Sequence, residues 1–170
     1  MDGIDTTPVN YLGRSALFGA AEYGLAEIVR TLLKMDGIDI NLVDSIGTSA
    51  LILAVENGHT EVIKMLLEKK EIDVNLVDSD KRSALLCAAQ NGNAEVLHML
   101  LKIDGIDITR VNYLGRSALF GAAQYGLAEI VRTLLKMDGI DINLVDSRGT
   151  SALILAAEKG HTEVVGVLLE

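Results

Sequence analysis

Two hydrophobic rhythms alternate along this chain. In the stretch Met35–Glu68, "MDGIDINLVDSIGTSALILAVENGHTEVIKMLLE", apolar and polar residues first alternate over Ile38–Val43. That period of two, in β-prone residues, predicts a short extended segment, and Asp44–Gly47 reads as the turn after it. Ser49 stands as a helix N-cap before an apolar run over Ala50–Asn57. Gly58 is placed to end that helix in a left-handed cap. Thr60 opens a second helix, whose Val62, Ile63, Leu66 and Leu67 fall on one face. Glu61 lies in its first turn, where the helix dipole favours an anion, and Lys69 and Lys70 lie near its end. The pattern predicts a β-type finger followed by two short helices. Helices this short are marginal alone in water, so each must bury its apolar face against a neighbour.

The same rhythm returns every 34 residues. Gly13, Gly47, Lys81, Gly115 and Gly149 share one position, and Gly24, Gly58, Gly92, Gly126 and Gly160 another. Five repeats, 1–34, 35–68, 69–102, 103–136 and 137–170, fill the 170 residues and are read as a single repeat domain. A longer echo lies above this period. "NYLGRSALFGAA" at Asn10–Ala21 recurs unchanged at Asn112–Ala123, and residues 9–68 agree with 111–170 at 53 of 60 positions. The differences are Glu22/Gln124, Ile46/Arg148, Val55/Ala157, Asn57/Lys159, Ile63/Val165, Lys64/Gly166 and Met65/Val167. A three-repeat block has been copied, by duplication or by design.

Tetratricopeptide repeats share the period, but their Trp and their Tyr/Phe/Pro signature are missing here, and they carry no extended finger. "DSIGTSALILAVENGHTEVIKMLLEKKEIDVN" resembles the ankyrin repeat instead. Asp44, Gly47, Leu51, Ala54, Gly58, His59, Glu61, Val62, Leu66, Leu67, Asp73, Val74 and Asn75 fall where that family's pattern has them. The resemblance covers all five repeats. It implies an all-α ankyrin-repeat solenoid of helix-turn-helix units with β-type fingers. The near-identical copies resemble fungal-type ankyrin arrays. Three departures stand out. The family's T-P-L-H is here Ser-Ala-Leu followed by Phe18, Ile52, Leu86, Phe120 or Ile154, so the Pro that preorganises the first turn and the His after it are both gone. One extra residue follows the second helix. In the third repeat, Glu71 and Lys81 replace glycines, and either would carry strain if its backbone needs a positive φ.

The resemblance also implies where a partner would bind, on the finger tips and the exposed side of each first helix. Those positions are Tyr11, Leu12, Arg14 and Tyr23, then Ile46 and Asn57, then Asp80, Arg82 and Asn91. Tyr113, Leu114, Arg116 and Tyr125 follow in the fourth repeat, and Arg148 and Lys159 in the fifth. Tyr and Arg are enriched at binding hot spots. The plainer alternative is that Tyr11, Leu12 and Tyr23 pack on neighbouring fingers. Three copy differences, Glu22/Gln124, Ile46/Arg148 and Asn57/Lys159, fall on this strip, and each makes the later copy more positive.

Composition narrows the function. Hydrophobic residues are 49% but aromatics only 4%, with no Trp, which suits thin layers of Leu, Ile, Val and Ala. A net charge of −9 disfavours nucleic acid as partner. No apolar run approaches the ~18 residues of a membrane span, and nothing at Met1 reads as a secretory leader. Cys87 is the single cysteine and cannot make an internal disulfide, which points to a reducing, intracellular (cytoplasmic) setting. His59 and His161 hold the family's turn position, a structural contact rather than a metal ligand, and His98 is far from both. "DINLVD" fails as a calcium loop, because Asp44 stands where that loop needs Gly. Serines and aspartates sit in caps and turns with no histidine beside them, and no Gly-rich phosphate loop exists. Cys87 reads as a small helix residue near the concave side rather than a reactive thiol.

The expectation is therefore a protein–protein interaction module with no catalysis, no cofactor and no metal. The alternative is a structural or engineered scaffold with no cognate partner. In the fifth repeat Leu153, Leu155, Val164, Val165, Leu168 and Leu169 stay apolar, and Gly166 weakens the last helix. That set predicts end-to-end self-association, the Glu170 side against the Met1 side, through uncapped terminal repeats.

Overall fold

The structure, a computed structural model, describes residues 8–170. The expected contribution of Met1 to end-to-end stacking lies outside the described residues. Within them the chain folds into five helix pairs: α1 (Ala16–Glu22) with α2 (Ala26–Leu32), α3 (Ala50–Glu56) with α4 (Thr60–Leu67), and α5 (Ala84–Gln90) with α6 (Ala94–Leu100). The last two pairs are α7 (Ala118–Gln124) with α8 (Ala128–Leu135), and α9 (Ala152–Glu158) with α10 (Thr162–Leu169). The helix ends expected from sequence hold. Gly58 follows α3 with φ +72°, a left-handed cap that a side chain would strain.

The contacts group into two compact units, one reaching Ser79 and the other spanning Asp80–Glu170. In the first, α1 packs on α3, α2 packs on α4, and each helix also packs on its pair partner. Leu17, Phe18 and Ala21 of α1 meet an α3 in which every residue from Ala50 to Val55 is buried. Ala20 and Ala21 are buried and small, which lets the helices approach. In the second unit α7 lies between α5 and α9, while α8 contacts α6 and α10. Its core is again mainly aliphatic, with Leu85, Leu97, Leu100, Leu119 and Ile130 almost wholly enclosed beside the ring of Phe120. Each such side chain contributes about 1.5–3 kcal/mol when fully buried.

The fingers hold less β-structure than their alternation predicts. Among the described residues the pairing there reduces to isolated bridges, Val43 with Ser49 and Val145 with Ser151, and Val77 and Ser83 are bridge residues at the equivalent places in the third repeat. The reason is local competition. The Asp39 carboxylate accepts the Asn41 N–H at 2.9 Å, and Asp73, Asp107 and Asp141 do the same for Asn75, Thr109 and Asn143. An aspartate that folds the backbone onto its own side chain removes that stretch from a ladder.

The serine caps also divide. Ser49, Ser83 and Ser151 accept the N–H three residues on, but Ser15 and Ser117 make no side-chain cap bond. There the carbonyls of Ser15 and Ser117 take the N–H of Phe18 and Phe120, both at 3.1 Å. In the third repeat, Lys81 has φ +59°, and among the described residues it is the one non-glycine with positive φ. Glu71 does not share that conformation, although its counterparts Gly37, Gly105 and Gly139 do. Its neighbours keep the pattern of the other repeats: Ile72 N–H donates to the Lys69 carbonyl as Ile106 N–H does to that of Ile103, and the Glu71 carbonyl accepts Asn41 Nδ2 at 2.7 Å. Strain in this repeat is therefore confined to Lys81.

Candidate partner-binding surface

The finger tips of the first, second, fourth and fifth repeats are turns closed by the side chain of their first residue. Asn10 Oδ1 accepts the N–H groups of Leu12 and Arg14. Asp44 serves Ile46 and Thr48 in the same way, Asn112 serves Leu114 and Arg116, and Asp146 serves Arg148 and Thr150. Successive tips are joined by one backbone bond each. In the first unit Ser45 N–H donates to the Leu12 carbonyl (2.9 Å) and Ser79 N–H to that of Ile46 (2.8 Å). In the second, Tyr113 N–H donates to the Asp80 carbonyl (3.0 Å) and Ser147 N–H to that of Leu114 (2.8 Å). The tips are thus held by their own backbone, and their side chains are left for other work.

Two of the arginines expected at this surface are tied inward. Arg14 Nε donates to Asp44 Oδ2 at 2.9 Å, and Arg116 Nε to Asp146 Oδ2 at 2.8 Å. Both carboxylates are almost completely enclosed, at 1% side-chain exposure. Burial pushes the Asp44 carboxyl up, but the Thr48 N–H, the Arg14 guanidinium and the Ile46 N–H more than offset it, so Asp44 lies below the usual carboxylate range. Asp146 is lowered likewise, burial being outweighed by the Arg148 and Thr150 N–H groups and by Arg116. Arg14 NH1 also lies 3.5 Å from Glu22 Oε2. Arg82 Nε is 3.9 Å from Asp80 Oδ2.

The other expected residues stand as follows. Tyr11 is 93% exposed, Tyr23 71%, Tyr113 63% and Ile46 54%. Leu12 and Leu114 are half-buried, while Asp80, Asn91, Arg148 and Lys159 are exposed. Asn57 caps α3 and returns its Nδ2 to the Leu53 carbonyl at 2.9 Å. Tyr125 is partly occupied within its unit, because its ring lies over Gly92, where a Cβ would come within 2.6 Å of it. His59 Nε2 lies 3.0 Å from the Glu22 carbonyl and His161 Nε2 the same distance from that of Gln124, so each joins neighbouring repeats. Cys87 is buried in α5. In the last repeat Leu155, Val164 and Leu168 are buried, whereas Ile154 and Leu169 are exposed.

The second unit carries a recess of about 210 Å³ beside the fourth finger, lined by Leu86, Gln90, Leu114, Arg116, Ser117, Phe120, Gly121 and Gln124. Arg116 and Leu114 were legible as surface candidates. So were Gln90 and Gln124, which fall on the same strip, but Phe120 and Gly121 were not, because nothing in their own repeat marks the wall they form. The Arg–Asp tie did leave a signal: Arg14 and Asp44 are 30 residues apart, and Arg116 and Asp146 repeat that spacing. Among the described residues no group of three or more His, Cys, Asp or Glu is arranged to hold a metal ion. No described helix is long and apolar enough to cross a membrane.

The family model for ankyrin repeats (3 copies) matches residues 17–112 and 109–170. The chain belongs to the ankyrin repeat family. A solved structure, the crystal structure of EF0377, an ankyrin repeat protein, is similar with a TM-score of 0.83 at 30% identity, covering 98% of this chain and 85% of that one. No curated protein sequence matches. The fold class is the all-α ankyrin-repeat solenoid, and ankyrin repeats are in general protein–protein interaction modules.

Proposed function

We propose that this chain is a non-catalytic module that takes a protein partner on the finger tips and the exposed side of the first helices. The carrying observation is the exposure of Tyr11, Ile46 and Tyr113 on turns whose backbone is already hydrogen-bonded. Large side chains on a rigid support bind with little loss of conformational entropy, which is how hot-spot residues act. In the first unit the surface comprises Tyr11, Leu12, Tyr23, Ile46 and Asn57, with Arg14 behind them. In the second it comprises Asp80, Arg82, Asn91, Tyr113, Leu114, Tyr125, Arg148 and Lys159, with Arg116 behind. The single cysteine, buried in α5, fits work in a reducing, cytoplasmic setting.

The test is a photo-crosslinking residue placed at Tyr113 in one protein and at Glu129, on the second-helix side, in another. A partner captured saturably from position 113 and not from position 129, and lost when Tyr125→Ala is added to the position-113 protein, is the expected result. Capture from Glu129 alone would move the surface to the other face. The scaffold alternative expects saturable capture from neither.

A further inference from the structure

We infer that the recess between α5 and α7 receives a carboxylate side chain of the protein partner, recognised by Arg116. This rests on the proposed binding surface and names the chemistry of one contact within it. The first copy supplies the precedent. There the corresponding arginine, Arg14, holds two carboxylates at once, buried Asp44 on Nε at 2.9 Å and Glu22 on NH1 at 3.5 Å. In the second copy Gln124 replaces Glu22. Arg116 keeps Asp146 as its carboxylate partner, through both Nε and NH2, and has no second one among the described residues. The place that Glu22 fills beside Arg14 is taken at Arg116 by a neutral amide lining an open recess.

The walls suit a short acidic side chain. Leu86 and Phe120 supply apolar contact for its methylenes, and Gln90 and Gln124 supply amide donors beside the guanidinium. Packing keeps the floor bare. A Cβ at Gly121 would overlap the Ala89 carbonyl, so no side chain from that position can fill the space. Arg116 is neither fully buried nor free, with 27% of its side chain exposed. The contact acts at short range. Asp146 already neutralises Arg116, and the chain carries a net charge of −9, so no long-range field draws an anion in. The recess therefore selects among partners already docked by the surrounding surface.

The probe is N-acetyl-glutamate N-methylamide, titrated into the full chain while NMR follows the Nε–H of Arg116 and the side-chain amide of Gln124. Its glutamine analogue is the control compound, and Arg14, already holding Glu22, is the control arginine within the molecule. Saturable shifts at Arg116 and Gln124 with the glutamate compound, and none with the glutamine analogue, are expected. Gln124→Glu should weaken the response at least about tenfold, roughly one charge-assisted hydrogen bond, because the new carboxylate occupies Arg116 as Glu22 occupies Arg14. Arg116 itself stays in place, since removing it would strip buried Asp146 of its partner. A thermal melt confirms that the Gln124→Glu protein is folded. No shift at Arg116, or an undiminished shift in Gln124→Glu, overturns the inference. Either result leaves the wider surface standing, because that is decided by crosslinking at Tyr113.

Discussion

Residues 9–68 and 111–170 are nearly the same sequence in different surroundings. Ile52 is 1% exposed, but its identical counterpart Ile154 is 44% exposed. A Cβ added at Gly19 would meet no described atom within 4 Å, whereas at Gly121 it would run into the backbone of Ala89. The substitutions follow the surroundings. Val55 is buried and its counterpart Ala157 is exposed; Ile63 is buried and its counterpart Val165 is half-buried. The smaller residue stands where less is covered. In a stacked array a residue's environment belongs to its neighbours in adjacent repeats, not to its own local sequence.

The sharpest way to break this comparison is one substitution made in both copies. Gly121→Ala must push α7 away from α5, and overpacking of this kind costs about 1–3 kcal/mol. Gly19→Ala meets open space within a helix and should gain up to about 1 kcal/mol from helix propensity. Urea unfolding midpoints of the two single variants decide the matter. Equal changes in both would mean that the copies share an environment after all.

Acid should act on both copies alike, because each holds one enclosed aspartate against an arginine. A carboxyl whose folded pKa is lowered contributes stability that is fully present above its unfolded value of about 3.9. That stability is lost as pH falls through the folded value. Asp44 and Asp146 are both lowered, so stability should hold from neutral pH to about 5 and then decline with further acidification. Asp44→Asn with Asp146→Asn should lower stability at pH 7 and flatten that acid limb. An unchanged limb in the double variant would assign acid sensitivity to other groups.

The third repeat has no copy in the chain, and it shows what the sequence could and could not reveal. The helix pairs, their capping glycines and the 34-residue period were all legible, because each is written within one repeat. The odd residues Glu71 and Lys81 were visible as well, but only the backbone separates them. Lys81 keeps the left-handed conformation of the glycines it replaces, while Glu71 does not. The β-fingers were over-read, since the alternation in Ile38–Val43 signals a strand while Asp39 folds the same segment onto its own carboxylate. The recess escaped notice because its walls come from two repeats. Relief of the left-handed penalty at Lys81, about 1–2 kcal/mol, is partly offset by the flexibility of an unfolded glycine. Lys81→Gly should therefore stabilise by about 0.5–1 kcal/mol net, read from the urea midpoint. A drop in that midpoint would mean that the lysine side chain contributes more than its backbone costs.

The smallest effect tests the comparison at a single charge. Arg14 and Glu22 form a partly exposed pair at 3.5 Å, with side-chain exposures of 23% and 35%. Such pairs contribute roughly 0.2–1 kcal/mol, and solvent screening places this one toward the low end. Glu22→Gln makes the first copy match the second and should destabilise by a few tenths of a kcal/mol. Gln124→Glu makes the second match the first and should stabilise by a similar amount, because Arg116 then gains the carboxylate that Arg14 already has. Both changes alter the net charge by one, in opposite directions. On a chain already at −9 the added glutamate also meets general repulsion, which trims its gain. Salt separates local pairing from packing. At high ionic strength the Debye length falls to about 3 Å, and both differences should shrink toward zero. If Gln124→Glu destabilises, or if either difference survives high salt unchanged, the two arginines are not equivalent hosts and the precedent at Arg14 does not carry over to Arg116.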